Sequence, residues 1–493
     1  MIAVNDVICS HIALACRRFI QCFIFLPFFF PVWIYAQQAH LPVIGTTEVP
    51  DTSLPDGMVI IRHIDISGNK KTNDAIILRE LAIHPGDTLP WKQAPALLEE
   101  ARQRVINTSL FLSVNVYFKN WHAQQVDIGV DVVERWYIFP VPIFNLADRN
   151  FNVWWVEHHH QLSRVNYGIN CFDNNLTGNN DQLIFTIQSG YTYKYALAYN
   201  LPFFDKVMHA GLGLIAGYSR NREVNYMTQA NKQIYLKTEQ FIYKNWYGGL
   251  NFTYRKNIRT RHLLSLTYHN LTVGDTVVAL NPDYLPAGST HQQYLGLEYR
   301  FSYTGADHWA YPLRGFNLIA DISQQGFGWL GQVHMTQLQL MMAYYMPLFP
   351  RIYLATGFRT QIQLPVHQPY FLRQDMGYYE NYLRGLEYNV VDASAFGILK
   401  TNLKYQIGKW NIHLPLIPEK FAHVPLAVYV KCFGDVGYGY DPYHEVSHLS
   451  NRWLFTEGVG IDFVTFYDIR LRVEYSFNQF GQNGLFLHTK SEL

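Results

Sequence analysis

From Tyr137 onward, apolar and polar residues alternate with a period of two, in segments about ten residues long. In "YTYKYALAYNL", Tyr191, Tyr193, Tyr195, Leu197, Tyr199 and Leu201 share one face, opposite Thr192, Lys194, Ala196 and Asn200. In "DIRLRVEYSF", Ile469, Leu471, Val473, Tyr475 and Phe477 oppose Arg470, Arg472, Glu474 and Ser476. Side chains of a strand point alternately to its two faces, so each segment predicts a strand with one apolar and one polar face. Sixteen strands are predicted: 137–146, 165–172, 182–189, 192–200, 209–218, 246–255, 262–272, 291–303, 315–324, 333–346, 351–363, 396–407, 425–436, 455–465, 468–477 and 484–493. Residues 235–243 form a further run, assigned to a loop or a strand extension. A soluble sandwich also alternates. Many successive segments of this length, with aromatics near their ends, instead match a transmembrane barrel with a lipid-facing apolar band and a polar lumen. Lipid offers no partner for a bare strand edge, so such a sheet has to close.

The connections divide into two sets. The longer ones (147–164, 219–245, 273–290, 364–395 and 437–454) alternate with short or Pro-marked ones such as "NLPFFDKV", "YMPLFP" and "FY". Long loops on the extracellular side and short periplasmic turns are the usual asymmetry of such barrels, which places both ends of the barrel at the periplasm.

Residues 59–135 follow another pattern. "VIIRHIDISGN" alternates Ile60, Arg62, Ile64 and Ile66 and ends in a turn at Gly68 and Asn69. Asn73 and Asp74 can cap a short helix, "AIILREL". "HPGD", with Gly86, then breaks the chain. "PALLEEARQRVINTS" puts Leu97, Leu98, Ala101 and Val105 on one helical face, and two strands follow, "FLSVNVYF" from Phe111 and "QVDIGVDVVER". The predicted order is β-α-α-β-β, a compact two-layer α+β unit whose second and third strands are expected to leave a free edge. Ahead of it, Arg17 and Arg18 precede the apolar run 19–35 and the small residue Ala36. Basic flank, apolar run and small residue are the order of a signal peptide, expected over 1–36, with a linker at 37–58. Pro27, Pro31 and a length of about 17 residues argue against a spanning helix.

Composition agrees with a chain that faces something other than water. Charged residues are 16% of the 493, below the roughly 25% of soluble proteins, and aromatics reach 16%. With 39 basic against 38 acidic residues, the chain offers no electrostatic case for nucleic acid. Of its cysteines, only Cys171 and Cys432 lie beyond residue 36, too few for a disulfide framework and without metal-ligand spacing.

The pieces "ISGNKKT", "ILREL", "GD", "ARQRVINTSLF", "VNVYF" and "DIGVDVVER", in this order, resemble the polypeptide-transport-associated (POTRA) domain. The resemblance implies a turn and core built on Gly68, Asn69, Gly86 and Phe111. It also implies a periplasmic domain ahead of an outer-membrane barrel. The barrel is similar to the bacterial surface antigen domain, and the whole to the BamA/TamA-type outer-membrane assembly and translocation superfamily. Three landmarks carry that likeness: "DHWAYPLRGFNL" (307–318), "VKCFGDVGYG" (430–439) and "TEGVGIDF" (456–463). Between the first two lies "ENYLRGLEYN", whose Leu383, Arg384, Gly385 and Leu386 resemble the family's sixth-loop motif. That motif folds back into the lumen as a latch, and the likeness makes Asp435 the candidate acceptor for Arg384. A guanidinium keeps its charge and offers five donors, which suits a carboxylate in a confined polar lumen. "PLRG" at 312–315 repeats the tripeptide in a predicted periplasmic turn and is set aside. Two departures stand out. Lys404 occupies a position where several relatives carry an acidic partner for the arginine, and the chain ends "FLHTKSEL" rather than in an aromatic residue.

No G-x-S-x-G elbow, P-loop or dinucleotide fingerprint occurs in a suitable setting, so no enzyme is expected and no cofactor is implied. "EHHHQ" (157–161) lies in a predicted loop where three consecutive His cannot all face one ion, so no metal is expected. The resemblance implies insertion or translocation of unfolded outer-membrane or secreted proteins, with outer-membrane lipids and periplasmic or lipoprotein accessory subunits as further partners. A secretion pore dedicated to one partner protein and a passive channel are the alternatives.

Overall fold

The computed structural model describes residues 57–488, apart from 82, 123, 206, 208, 258, 309–310, 374, 379, 414–422, 443–446 and 466–469. The expected signal peptide, nearly all of the expected linker and the last five residues of the expected final strand lie outside the described residues.

The small unit contains β1 (Met58–Ser67), α1 (Asp74–Leu81), β2 (Thr88–Pro90), α2 (Ala94–Asn107), β3 (Phe111–His122) and β4 (Gln125–Glu134). Its sheet runs β2-β1-β4-β3, with β1 parallel to β4 and the other pairs antiparallel. Two details differ from the sequence reading. The alternation expected at Ile60, Arg62, Ile64 and Ile66 is broken by a register shift between Ile61 and His63, so the core residues are Val59, Ile61 and Ile64. Of the two strands expected to offer a free edge, β4 is internal and only β3 has one. Leu98, Ala101 and Val105 of α2 pack with Ile77 and Leu81 of α1 onto Ile128, Val130 and Phe111, closing a dry two-layer core. Gly68 has φ +88°, and a Cβ there would strike the Val132 carbonyl oxygen, so the turn needs glycine. Asn69 ties that turn by donating to Thr72 O at 2.9 Å. Gly86, with φ +95°, makes the break after α1.

From Ile138 the chain forms one antiparallel sheet of sixteen strands, each paired to the next in sequence order. They are β5 (Ile138–Leu146), β6 (Val165–Asn174), β7 (Gln182–Gly190), β8 (Thr192–Leu201), β9 (Ala210–Asn221), β12 (Tyr243–Tyr254) and β13 (Thr260–Val273). Then come β14 (His291–Thr304), β15 (Gly315–Gln325), β16 (Met335–Phe349), β17 (Ile352–Leu364) and β18 (Ala395–His413). The last four are β19 (His423–Tyr440), β20 (Trp453–Val464), β21 (Arg470–Asn478) and β22 (Asn483–His488). The run at 235–243 is divided. Residues up to 237 close a separate hairpin, β10 (Glu223–Gln229) with β11 (Lys232–Lys237), and Tyr243 already begins β12.

The alternation of β21 shows which way the barrel faces. Leu471, Tyr475 and Phe477 are exposed, while Arg472, Glu474 and Ser476 are 2%, 0% and 0% exposed. Charge inside and apolar residues outside invert a soluble fold, and the same band recurs at Leu214, Leu250, Leu266 and Leu338. The small unit docks at one barrel end: Asn73 N donates to Gly178 O at 2.9 Å, and Asn175 Nδ2 to Thr72 Oγ1 at 2.9 Å. Strand alternation then puts the long connections, 147–164, 222–242, 274–290, 365–394 and 441–452, together at the far end.

Candidate functional site

The lumen is crossed by the loop 365–394, hereafter loop six, which descends from the far end between β17 and β18. Its apolar residues seat it: Leu383 and Leu386 pack with Met376, Val391, Phe396, Ile398 and Leu454. A Cβ at residue 437 would come within 2.6 Å of Leu383 Cδ1, so Gly437 of β19 leaves the room that leucine fills. Gly385 has φ +83° and hands its carbonyl to Asn478 Nδ2 at 2.9 Å.

Those contacts deliver Arg384 to the barrel wall, fully buried. Its Nε donates to Asp435 Oδ2 at 2.8 Å and its Nη2 to Asp435 Oδ1, a two-point pairing. The Arg384 backbone N–H adds a 3.2 Å bond to Oδ2, and Nη1 donates to Asn402 Oδ1 at 2.5 Å. The Phe433 ring lies 3.8 Å from the guanidinium carbon. Three residues on two strands thus meet one loop side chain. Register explains the convergence: inward-facing Lys400 of β18 lies opposite Asp435 of β19, so Asn402 and Phe433 are the next inward pair.

The structure also gathers residues that the sequence reading did not single out. Glu474 Oε1 is 2.6 Å from Lys431 Nζ and 3.8 Å from Arg384 Nη1. Lys431 is 3.0 Å from Asp462 Oδ1, and Asp462 Oδ2 accepts from Tyr311 OH at 2.7 Å. His488 of β22 lies 3.3 Å from Glu474 and 3.5 Å from Glu387 of loop six, stacked on Tyr382 at 5.3 Å. Lys404, the departure noted above, places its ammonium 4.2 Å from the Tyr311 ring, and the second carboxylate near the guanidinium is Glu474. Tyr311 reaches the lumen from "DHWAYPLRGFNL", whose "PLRG" closes the domain-end turn between β14 and β15. Burial pushes the Asp375 carboxyl of loop six well above the usual range, and Asp392 adds to the shift, while Ala393 N–H opposes it from 3.0 Å.

The histidines of 157–161 do not converge: His158 faces Asp148 at 3.4 Å, and His160 packs on Trp155 at 4.9 Å. Instead the same loop, 147–164, is strapped to loop six. Arg149 Nη1 donates to Gly377 O at 2.9 Å and Asn389 O at 3.0 Å, and Asn150 Nδ2 to Glu387 O at 3.0 Å. Asn152 reaches past them to β22. Among the described residues no ladder joins β22, the last strand, to β5, the first.

Comparisons with known proteins agree with this anatomy. Residues 59–135 match the family described as POTRA, surface antigen variable number repeat, and residues 175–390 match the Omp85 superfamily domain. The structure is similar to the crystal structure of BamA from Haemophilus ducreyi lacking POTRA domains 1-3, with a TM-score of 0.57 and 15% identity over 87% of this chain and 83% of that one. It is also similar to CdiB from Escherichia coli, with a TM-score of 0.52 and 12% identity over 87% of this chain and 75% of that one. At such identities the likeness is one of fold. No curated protein matches the sequence.

Proposed function

This chain is a POTRA-plus-barrel protein of the BamA/TamA-type outer-membrane superfamily, and from that premise we propose that it moves unfolded polypeptide into or across the outer membrane. The observation that carries the reading is the seam. A sheet in lipid needs closed edges, yet β5 and β22 share no ladder among the described residues, so these two edges lack a strand partner there. No covalent step is needed: a client strand pairs with exposed backbone and leaves as it folds. On this reading the POTRA domain stands in the periplasm, where its β3 edge takes extended clients, and accessory subunits dock around it. Loop six and Tyr311 both occupy the lumen, which favours a gated device over a passive open channel. A pore dedicated to one secreted partner is the alternative.

Depletion of the protein, followed by a quantitative inventory of outer membrane and secreted fraction, tests the proposal. Loss of many barrel proteins from the membrane supports insertion, and loss of a single secreted protein supports the dedicated pore. Unchanged inventories in both fractions refute transport.

The soluble edge has its own test. Proline removes a ladder donor without unfolding an edge strand. Prolines at those alternate β3 positions whose N–H leaves the sheet are expected to cut client crosslinking to the domain several-fold, with its circular dichroism unchanged. Undiminished crosslinking would make the domain a spacer.

A further inference from the structure

Beside loop six the lumen keeps a cavity of about 400 Å³, within the size range of small-molecule sites. Glu380 of loop six and Pro312 of the domain-end turn border it, and strands β13 to β18 make most of its wall. Five basic side chains line it, Arg261, Arg300, Arg359, Lys400 and Arg470, against the single carboxylate of Glu380. Elsewhere in this lumen cations are answered by acids: Arg384 by Asp435, and Lys431 by Asp462 and Glu474. Arg300 is answered too, by Asp321 at 2.7 Å and Glu298 at 3.0 Å.

Three of the five are not. Lys400 is 7% exposed, and its ammonium lies over the Tyr382 ring at 4.2 Å, with no ion pair or hydrogen bond among the described residues. Asp435, opposite it in register, is engaged by Arg384. Arg359 donates through Nη1 to Asn381 Oδ1 at 3.0 Å, a neutral acceptor. Arg261 has no ion pair or hydrogen bond among the described residues. Against Glu380, these three cations leave a surplus of two positive charges. A buried charge without a counter-charge is costly, so an anion that enters the cavity relieves that cost.

Register sets these groups for one ligand. Ile398 pairs with Arg359 and Gly357 with Lys400, so arginine and lysine are diagonal neighbours on the inner face of β17 and β18. Diagonal neighbours are about 7–8 Å apart, close enough for two long side chains to share one anion. Ile319 of β15 and Met341 of β16 continue the wall beside them with apolar surface.

We propose that this cavity binds a phosphate monoester with an apolar body, its head held by Arg359 and Lys400 and its body laid against Ile319 and Met341. A monoester carries about −1.5 to −2 charges at pH 7, which matches the surplus, and its oxygens can accept a guanidinium's N–H groups in pairs. The site needs the barrel but not the transport reading.

The test uses the full chain in phosphatidylcholine nanodiscs, titrated calorimetrically with hexyl phosphate, inorganic phosphate and hexanol, with empty nanodiscs as the blank. Hexyl phosphate is expected to bind saturably at one site, inorganic phosphate more weakly, and hexanol not at all. Arg359→Gln and Lys400→Met each weaken hexyl phosphate about tenfold or more, the factor of one charge-assisted hydrogen bond. Lys237→Gln, on the exposed face of β11, leaves it unchanged. Lys400→Met also leaves the ligand-free barrel at least as heat-resistant, because it removes a buried cation that no acid answers. Retained heat-modifiability on gels shows that each variant is folded. Doping the nanodiscs with phosphatidic acid, a lipid monoester, identifies the source: loss of the hexyl phosphate titration assigns the site to a lipid headgroup, and an unchanged titration assigns it to a soluble monoester. No saturable heat above the blank, hexanol binding as tightly as hexyl phosphate, or folded Arg359→Gln and Lys400→Met variants that bind like Lys237→Gln overturns the site. None of these outcomes touches the transport reading, which the depletion inventories decide.

Discussion

Arg384→Ala is expected to destabilise the folded barrel by on the order of 3–5 kcal/mol, the cost of leaving one partner of a buried charge pair behind. The orphan is Asp435, which is 1% exposed and left without its guanidinium partner. Two side-chain bonds from the arginine to that carboxylate and one to Asn402 vanish together, leaving only the bond from the backbone N–H, and the Phe433 ring loses the cation above it. Arg384→Lys is expected to recover only part. A single ammonium cannot span both carboxylate oxygens and Asn402 in one plane. Arg373→Ala, in the same loop, is the control: its Nε donates to the neighbouring Gln368 carbonyl, at 2.9 Å, and a much smaller change is expected. Heat-modifiability of the purified barrel and growth of cells carrying each variant are the measurements. If Arg384→Ala and Arg373→Ala behave alike in both, the lumenal pairing has no latch function.

How much of this was legible differs by scale. All sixteen barrel strands can be read from alternation, because each strand carries its own two-faced pattern whatever its neighbours are. β21 is the clearest case, its lumenal Arg472, Glu474 and Ser476 separated from its outward residues by parity alone. The hairpin β10–β11 was less legible. Its second strand runs on toward β12 with no break in β propensity, so the run at 235–243 did not divide. The three-residue β2 gives no period to detect. At the site, Arg384 and Asp435 are legible only through a family likeness. Nothing local in the sequence links a loop to a strand 51 residues away. The alternation places Glu474 and Lys431 in the lumen, but their meeting depends on register across β19, β20 and β21, which parity does not fix. Asn152 carried no signal: an asparagine in a polar loop is ordinary until its amide is found on a strand edge.

Glu474→Gln is expected to be nearly as damaging as Arg384→Ala, although the side chain keeps its shape. The carboxylate is the shared counter-charge of the lumen: Lys431 at 2.6 Å, His488 at 3.3 Å, Arg384 at 3.8 Å and Arg472 at 3.9 Å gather around it. A neutral amide there leaves Lys431, 1% exposed, leaning on Asp462 alone among these carboxylates, and it presents donors to groups that are themselves donors. The cost belongs to the imbalance rather than to the missing bond, so it should be reversible from the other side. Lys431→Met removes the cation that Glu474 neutralises most closely. The double variant is therefore expected to be less destabilised than the sum of the two single ones, by roughly 1–3 kcal/mol. Urea unfolding of the barrel refolded in detergent measures all three. Additivity within about 0.5 kcal/mol would mean that the two residues act independently, as well-separated sites do, and that the buried charges do not form one network. Coupling of the expected size would instead make the wall beneath loop six a single electrostatic unit. Arg384 then leaves Asp435 only if the rest of that unit rearranges, which makes the latch a two-state element rather than a loosely held loop.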